Sequence, residues 1–161
     1  MSVRLPVFWA LGGSGLLFFG AGCGGRTENK PPLSQLQSMA SDITTLEFTR
    51  TTTGQSNPPA PLHVVVSDTV EAQALYRLTL ALPELLGPAS ECPADMSVHY
   101  HLTFLSGTSV VLEAVEEPDG CQRVAVGGLA QPLVGGNAYW ARLSLGLGVP
   151  ESIMYPEASL H

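Results

Sequence analysis

The chain has 161 residues, a formal net charge of −7 from seven basic and fourteen acidic side chains, and 45% apolar residues. Nucleic-acid binding needs a basic patch that neutralises phosphates, and a chain whose only lysine is Lys30 cannot supply one. The same shortage of basic residues excludes binding to anionic lipid through a polybasic segment. The apolar content excludes a disordered chain, and the length fits one domain once an export segment is subtracted.

The N-terminal segment has the features of an export signal. It begins with a single positive charge at Arg4, and residues 5–25 carry no charged side chain. The sequence Gly20-Ala21-Gly22-Cys23 resembles the bacterial lipobox, in which the cysteine is lipidated and becomes the first residue of the mature protein. We therefore predict a lipoprotein signal peptide at residues 1–22, and lipidation of Cys23 on the extracytoplasmic side of the cell membrane.

Two other interpretations of this segment stay open. Twenty-one residues without charge are long enough to cross a bilayer, although seven glycines from Gly12 to Gly25 would weaken such a helix. An ordinary signal peptide, cut at another bond, also fits the pattern. The residues that follow, 23–41, contain Gly, Pro, Gln and Ser and predict a flexible tether.

The folded part begins, in this interpretation, with two strands and a helix. Strands are predicted at 43–52 and 62–66, because both segments are rich in β-branched or aromatic residues. A helix is predicted after Asp68, which serves as N-cap and forms a capping-box pattern with Glu71. Pro83 ends this helix, since proline cannot continue it.

The second half of the domain predicts a meander and another helix. Strands at 98–104, 110–115 and 122–126 are separated by turn sequences. Apolar spacing predicts a helix at 137–147, and we expect the tail at 150–161 to fray. This order favours an α+β fold, with an antiparallel sheet of about five strands and one or two helices on one face.

We predict one folded domain at residues 42–149. Within it, the meander also predicts which residues of neighbouring strands lie opposite one another. We expect Phe104 opposite Val110, and Leu102 opposite Leu112. This pairing puts both apolar sets on one face and requires a loop of odd length, because a shift by one residue reverses the faces.

Cys92 and Cys121 form an even pair once Cys23 is assigned to lipidation. Disulfides persist in exported proteins, and neither cysteine lies in a Cys-x-x-Cys motif. In a meander, the turn before Cys121 lies at the same end of the sheet as Val98, the first residue of the first strand. Cys92 precedes Val98 by six residues and can reach this end. We predict a structural disulfide between Cys92 and Cys121, with two buried free thiols as the alternative.

Several short motifs of the mature domain make a recognisable pattern. They are Cys92-Pro93-Ala94-Asp95, the alternation of Tyr100, Leu102 and Phe104, Gly120-Cys121, and the helix segment 74–83. Together they resemble the small uncharacterised exported domains that are common among bacterial lipoproteins, especially those of Gram-positive type. The resemblance covers about residues 42–148 and implies export and the disulfide, with no activity to carry over.

One pair of residues, His99 and His101, suggests metal chemistry. Residues two apart on a strand point to the same side, so the two imidazoles could begin a zinc or copper site. His63 or Glu113 would be the third ligand. The alternative is a polar outer face on which the histidines meet water.

These observations predict a lipid-anchored, non-catalytic module without metal or cofactor. Its partners would be the membrane, through the anchor, and an envelope component, a partner protein or a small molecule. The alternative is an exported enzyme or metal-binding protein that uses His99 and His101. We expect the aromatic pair Tyr139-Trp140 to pack the last helix onto the sheet rather than line a groove.

Overall fold

A computed structural model of the chain describes residues 31–53, 58–85, 98–118, 120–129 and 131–154. The strands are β1 (Thr45–Thr52), β2 (Leu62–Val66), β3 (Val98–Ser106), β4 (Ser109–Glu116), β5 (Arg123–Val126) and β6 (Leu133–Val134). They form one six-stranded antiparallel sheet in the order β2-β1-β3-β4-β5-β6. The predicted α+β class is confirmed, and the two-residue strand β6 adds a sixth strand.

In the described part of the chain, four α-helices and one 3-10 helix accompany the sheet. They are α1 (Leu33–Ser38), the 3-10 helix Met39–Asp42, α2 (Thr69–Leu80), α3 (Asn137–Leu147) and α4 (Glu151–Met154). Asp68 caps α2 as predicted, because its Oδ1 accepts hydrogen bonds from the backbone N–H groups of Val70 and Glu71 at 2.9 and 3.1 Å. The bounds of α3 match the prediction, and the helix ends at Gly148 in the left-handed region.

The two faces of the sheet differ in burial. The inner face is covered by the helices and is lined by buried alternate residues: Leu46, Phe48, Leu102, Phe104, Leu112, Ala114, Val124 and Val126. Trp140 of α3 is buried there, with its ring centroid 6.2 Å from that of Tyr100, so the aromatic pair packs the helix as predicted. The other face, here called the open face, presents half-buried or exposed residues: Thr45, Glu47, Thr49, Thr51, His63, Val65, His99, His101, Thr103, Leu105, Glu113, Val115 and Ala125.

The register between β3 and β4 differs from the predicted one. Phe104 lies opposite Leu112, and Leu102 lies opposite Ala114. The predicted pairing of Phe104 with Val110 is therefore wrong, as is that of Leu102 with Leu112. Phe104 and Leu112 nevertheless share the inner face, as expected from their apolar character.

The reason for the different register is a β-bulge. Ser106 pairs with Ser109, so the loop is the two-residue turn Gly107-Thr108 and not a loop of odd length. The register shifts between Phe104 and Leu105, and Val111 is the extra residue on β4. An extra residue reverses the alternation, so the bulge returns the following apolar residues of β4 to the inner face.

The folded part begins before residue 42, which corrects the predicted tether at 23–41. Residues from Leu33 onward form α1 and the 3-10 helix, in which Leu36 and Ala40 are buried. The hydroxyl of Tyr76 donates a hydrogen bond to the Leu36 carbonyl at 2.7 Å, which ties α1 to α2. Gln and Ser around these few apolar residues hid the short amphipathic turn from sequence reasoning.

The start of the expected frayed tail at 150–161 is also part of the fold. Residues 151–154 form α4, and Met154 is fully buried. Arg50 donates to the Ile153 carbonyl, and the Tyr100 hydroxyl donates to the Met154 carbonyl. The side chains that fix α4 lie about 50 to 100 positions away in sequence, so no local signal marks this helix.

Candidate functional site

The centre of the open face is an uncharged row of side chains that crosses five strands. His63 lies opposite Thr49, Thr49 opposite His101, His101 opposite Val115, and Val115 opposite Ala125. These residues offer a hydroxyl, two imidazoles and small apolar groups, with no carboxylate or ammonium among them. The row is therefore suited to contact a surface of low charge.

Carboxylates lie in the neighbouring row of the open face. Glu47 lies opposite both Val65 and Thr103, and Thr103 lies opposite Glu113. Both glutamates are exposed. The open face thus has acidic side chains beside a central row that contains none.

The predicted metal-binding histidines do lie on one face, but without the predicted third ligand. His101 Nε2 is 2.9 Å from the Thr51 hydroxyl oxygen, so this nitrogen takes part in a hydrogen bond. His63 is two strands away from His101, which is roughly 10 Å at the usual strand spacing. Within the described ranges, no three His, Cys, Asp or Glu side chains are grouped closely enough to hold a metal ion.

A second set of polar side chains, missed by sequence reasoning, lies buried on the inner face. Arg50, Tyr100 and Glu116 lie opposite one another on β1, β3 and β4. The side chains of this buried row are 7%, 0% and 0% exposed. Two ionisable groups are therefore held inside the core, one on each side of a tyrosine.

Glu116 is held by a short chain of hydroxyl groups from two helices. The Tyr139 hydroxyl donates to Glu116 Oε1 and lies 3.3 Å from Thr79 Oγ1. The Thr79 hydroxyl donates in turn to the Leu75 carbonyl at 3.0 Å. Glu116 Oε2 is buried and has no hydrogen-bond partner among the residues that the structure describes. The carboxyl group therefore connects β4 to α3 and, through Tyr139, to α2.

Burial raises the pKa of Glu116 to about 8, and the hydrogen bond from Tyr139 lowers it in part. The carboxyl group is consequently protonated and neutral at pH 7. In the sequence, Glu116 stands beside Glu117 and Asp119 at a strand end, where carboxylates are usually solvated. Its position two residues after Ala114 and four after Leu112 was the available signal, because residues at even spacing on a strand share a face.

Arg50 is buried in a different way. Its two terminal nitrogens donate to the carbonyls of Ile153 in α4 and Ala60 before β2, while Nε is buried and has no acceptor within the described ranges. A guanidinium group stays charged in proteins, so here a buried cation is stabilised by backbone carbonyls. The contact joins three segments that are distant in sequence.

The predicted lipidation and disulfide sites lie largely outside the described residues. Cys23 and Cys92 are both outside them, whereas Cys121 lies in the turn between β4 and β5. Lipidation of Cys23 and the bond between Cys92 and Cys121 therefore stay predictions. Of the helices in the described part of the chain, none is long and apolar enough to cross a membrane.

Comparison with known proteins adds no relative. No protein-family model matches the chain, and no curated protein or solved structure is significantly similar to it. The resemblance to exported lipoprotein domains therefore stays a prediction from the short motifs, and function has to be argued from the residues themselves.

Proposed function

We propose that the protein is a lipid-anchored, non-catalytic binding module on the extracytoplasmic side of the cell membrane. The observation that carries the proposal is Cys23, which follows three small residues at the end of a charge-free segment. Eight positions separate Cys23 from Pro31, where the described part of the chain begins. A short link of this kind would keep the domain beside the membrane.

The partner that best fits the open face is another protein of the cell envelope. The uncharged row from His63 to Ala125 would form the centre of the contact, and Glu47 and Glu113 would lie toward its rim. Five strands about 4.8 Å apart and about six residues long give roughly 500 Å². This is less than the ~800 Å² per partner of a typical stable complex, so we expect weak, reversible binding.

The anchor is tested by labelling cells with an alkyne analogue of palmitate. Cys23→Ser should abolish labelling and leave a precursor that retains residues 1–22, because the serine hydroxyl cannot form the thioether. Thr27→Ser, a matched change in the same segment, should label and mature as the wild type does. If Cys23→Ser still labels and matures normally, the proposed anchor is wrong.

The binding surface is tested by photo-crosslinking in intact cells. A photoreactive amino acid at Thr49 or at Val115 should give a protein adduct of one mass, because both positions belong to the open face. The same amino acid at Arg77, exposed on α2, is the control and should not give this adduct. His101→Glu, which places a charge in the uncharged row, should weaken the adduct at both positions. Equal adducts from Arg77, or adducts unaffected by His101→Glu, would contradict the assignment.

A further inference from the structure

One end of the sheet is distinguished by where the chain enters the fold. We call it the hairpin end, since it carries the turn Gly107-Thr108 between β3 and β4. Strand β2 also ends there, whereas β5 runs toward this end and stops earlier, with Val126 opposite Ala114. Gly128 lies in the turn that follows β5, with a positive φ of 89°.

Pro31 packs against this turn. A Cβ atom added to Gly128 would lie 3.2 Å from Cγ and Cδ of Pro31, so the two residues are close neighbours. The eight residues that lead from Cys23 to Pro31 span at most about 29 Å when fully extended. A lipid on Cys23 would therefore hold the sheet edge at Gly128 within about 29 Å of the bilayer, with the hairpin end in reach.

Exposed apolar side chains concentrate at the same end. Val65 is the penultimate residue of β2, Val70 lies in the first turn of α2, and Val110 follows the hairpin turn. They are 50%, 78% and 57% exposed. Leu145, 74% exposed, lies in the last turn of α3, which the close approach of Gly146 to Glu71 places beside the start of α2.

We propose that the hairpin end rests on the bilayer surface, with Val65, Val70 and Val110 among the lipid headgroups. This inference rests on the proposed lipid anchor at Cys23. Apolar side chains gain from the interfacial region of a membrane when an anchor already holds them there. The exposed Asp68 and the net charge of −7 disfavour contact with anionic lipid, so zwitterionic headgroups are the partner chemistry.

This orientation has a consequence for the partner surface. The strands would run away from the membrane, and the turn between β4 and β5, with Cys121, would lie at the far end. The open face would then stand upright on the bilayer and be accessible from the side. A neighbouring membrane-attached protein could meet it without leaving the membrane surface.

The experiment uses the full lipidated chain in vesicles of phosphatidylethanolamine and phosphatidylcholine. A photoreactive amino acid replaces Val70 or Val110, and lipid adducts are counted by mass spectrometry. The matched control is Ile153, a large apolar residue that is 48% exposed but lies toward the opposite end, beside Arg50. We expect at least about fivefold more lipid adduct at Val70 and Val110 than at Ile153.

Each outcome separates this orientation from the anchor. The mass of the N-terminal peptide from the same sample reports acylation of Cys23 independently. An acylated protein with equal or stronger lipid adducts at Ile153 overturns the orientation and leaves the proposed anchor intact. A protein adduct in place of lipid at Val110, in native membranes, also overturns it, because a partner then occupies the hairpin end. A protein without the acyl group overturns both.

Discussion

Arg50 and Glu116 lie on the same buried row, one on each side of Tyr100, but Arg50 is a buried cation and Glu116 a buried neutral acid. Arg50 donates to the carbonyls of Ile153 and Ala60 and stays a cation. Glu116 receives one hydrogen bond from the Tyr139 hydroxyl, and burial raises its pKa to about 8. The difference shows that two carbonyls from separate segments stabilise a buried charge, whereas a single hydroxyl leaves a buried acid to be neutralised by a proton.

The two sides of the row also fasten different parts of the fold. On the β1 side, Arg50 holds α4 and the segment before β2 against the sheet. On the β4 side, Glu116 is the point to which Tyr139 of α3 is bonded. Loss of either group should therefore release a different segment, and this can be tested.

The largest expected effect is a dependence of stability on pH that comes from Glu116. Its pKa rises from 4.5 to about 8 in the folded protein, so the folded state binds the proton more tightly than the unfolded state. The resulting stability is fully present below about pH 4.5 and is lost as the pH rises through 8. At about 1.4 kcal/mol per pKa unit, the loss amounts to roughly 5 kcal/mol at most.

Urea unfolding at pH 5 and pH 8.5 measures this contribution. Glu116→Gln keeps an oxygen that accepts from Tyr139 but cannot ionise, so it should lose less stability between the two pH values than the wild type. Glu113→Gln, an exposed position on the same strand, is the control and should behave as the wild type. If Glu116→Gln loses as much stability as the wild type over this range, the carboxyl group is not the buried, neutral group described here.

The predicted disulfide should have the next largest effect, and it concerns the β4 side. Cys121 follows Glu116 by five positions, so a bond to Cys92 would tie the segment before β3 to this side. Replacing both cysteines by serine should cost roughly 3–4 kcal/mol, the chain-entropy value for a closed loop of about 30 residues. The midpoint of thermal unfolding should fall by roughly 10 °C. A non-reducing peptide map tests the pairing directly, and two alkylatable thiols in the unreduced protein would refute it.

Arg50→Met should act on the β1 side. The thioether fills much of the space but leaves the carbonyls of Ile153 and Ala60 without their donors, which costs about 2–3 kcal/mol. Hydrogen exchange at residues 151–154 should become faster, while exchange in α3 stays near the wild-type rate. Arg50→Lys keeps the charge and one donor group. Its exchange rate at residues 151–154 should therefore lie between those of Arg50→Met and the wild type. Equal protection of α4 in Arg50→Met and the wild type would show that Arg50 does not hold this helix.

The sequence predicts the fold well where periodicity is local. The alternation in β3 and the capping of α2 by Asp68 depend on neighbouring residues alone, and the structure matches both. The register of the β3–β4 hairpin was predicted wrongly, because a two-residue turn and a bulge at Val111 reach the same facing as the expected odd loop. The apolar pattern cannot distinguish an odd loop from a two-residue turn with a bulge, because both put the same side chains on the inner face.

The candidate sites divide along the same line. The open-face histidines follow from alternation, so their common side was predictable, whereas the hydrogen bond between His101 and Thr51 depends on the pairing of β1 with β3. The burial of Arg50 depends on α4, which itself lacks a local signal. Long-range contacts decide such features, and spacing within one segment carries no information about them.

The smallest expected effect concerns the approach of α2 and α3, the helices that carry the hydrogen-bonded pair Thr79 and Tyr139. Gly146 lies at this contact: an added Cβ would be 2.3 Å from Glu71 Oε1 and 2.9 Å from Leu75 Cδ2. Glu71 forms a bidentate pair with Arg142 at 2.6 and 2.9 Å but is partly exposed and can move. Leu75, in contrast, is fully buried.

Alanine is favoured over glycine inside a helix by about 1 kcal/mol, so Gly146→Ala would stabilise an isolated α3. We expect a net loss of about 1 kcal/mol instead, because the methyl group must displace Leu75 or separate the two helices. The control is Gly136→Ser at the N-cap of α3, where an added Cβ meets nothing within 4 Å and serine is at least as good an N-cap as glycine, so the stability should not fall. Urea unfolding of both variants at pH 5, where Glu116 is protonated in the folded state, separates the packing effect from the charge effect. A stabilised Gly146→Ala would mean that the helices have room for the methyl group at this contact.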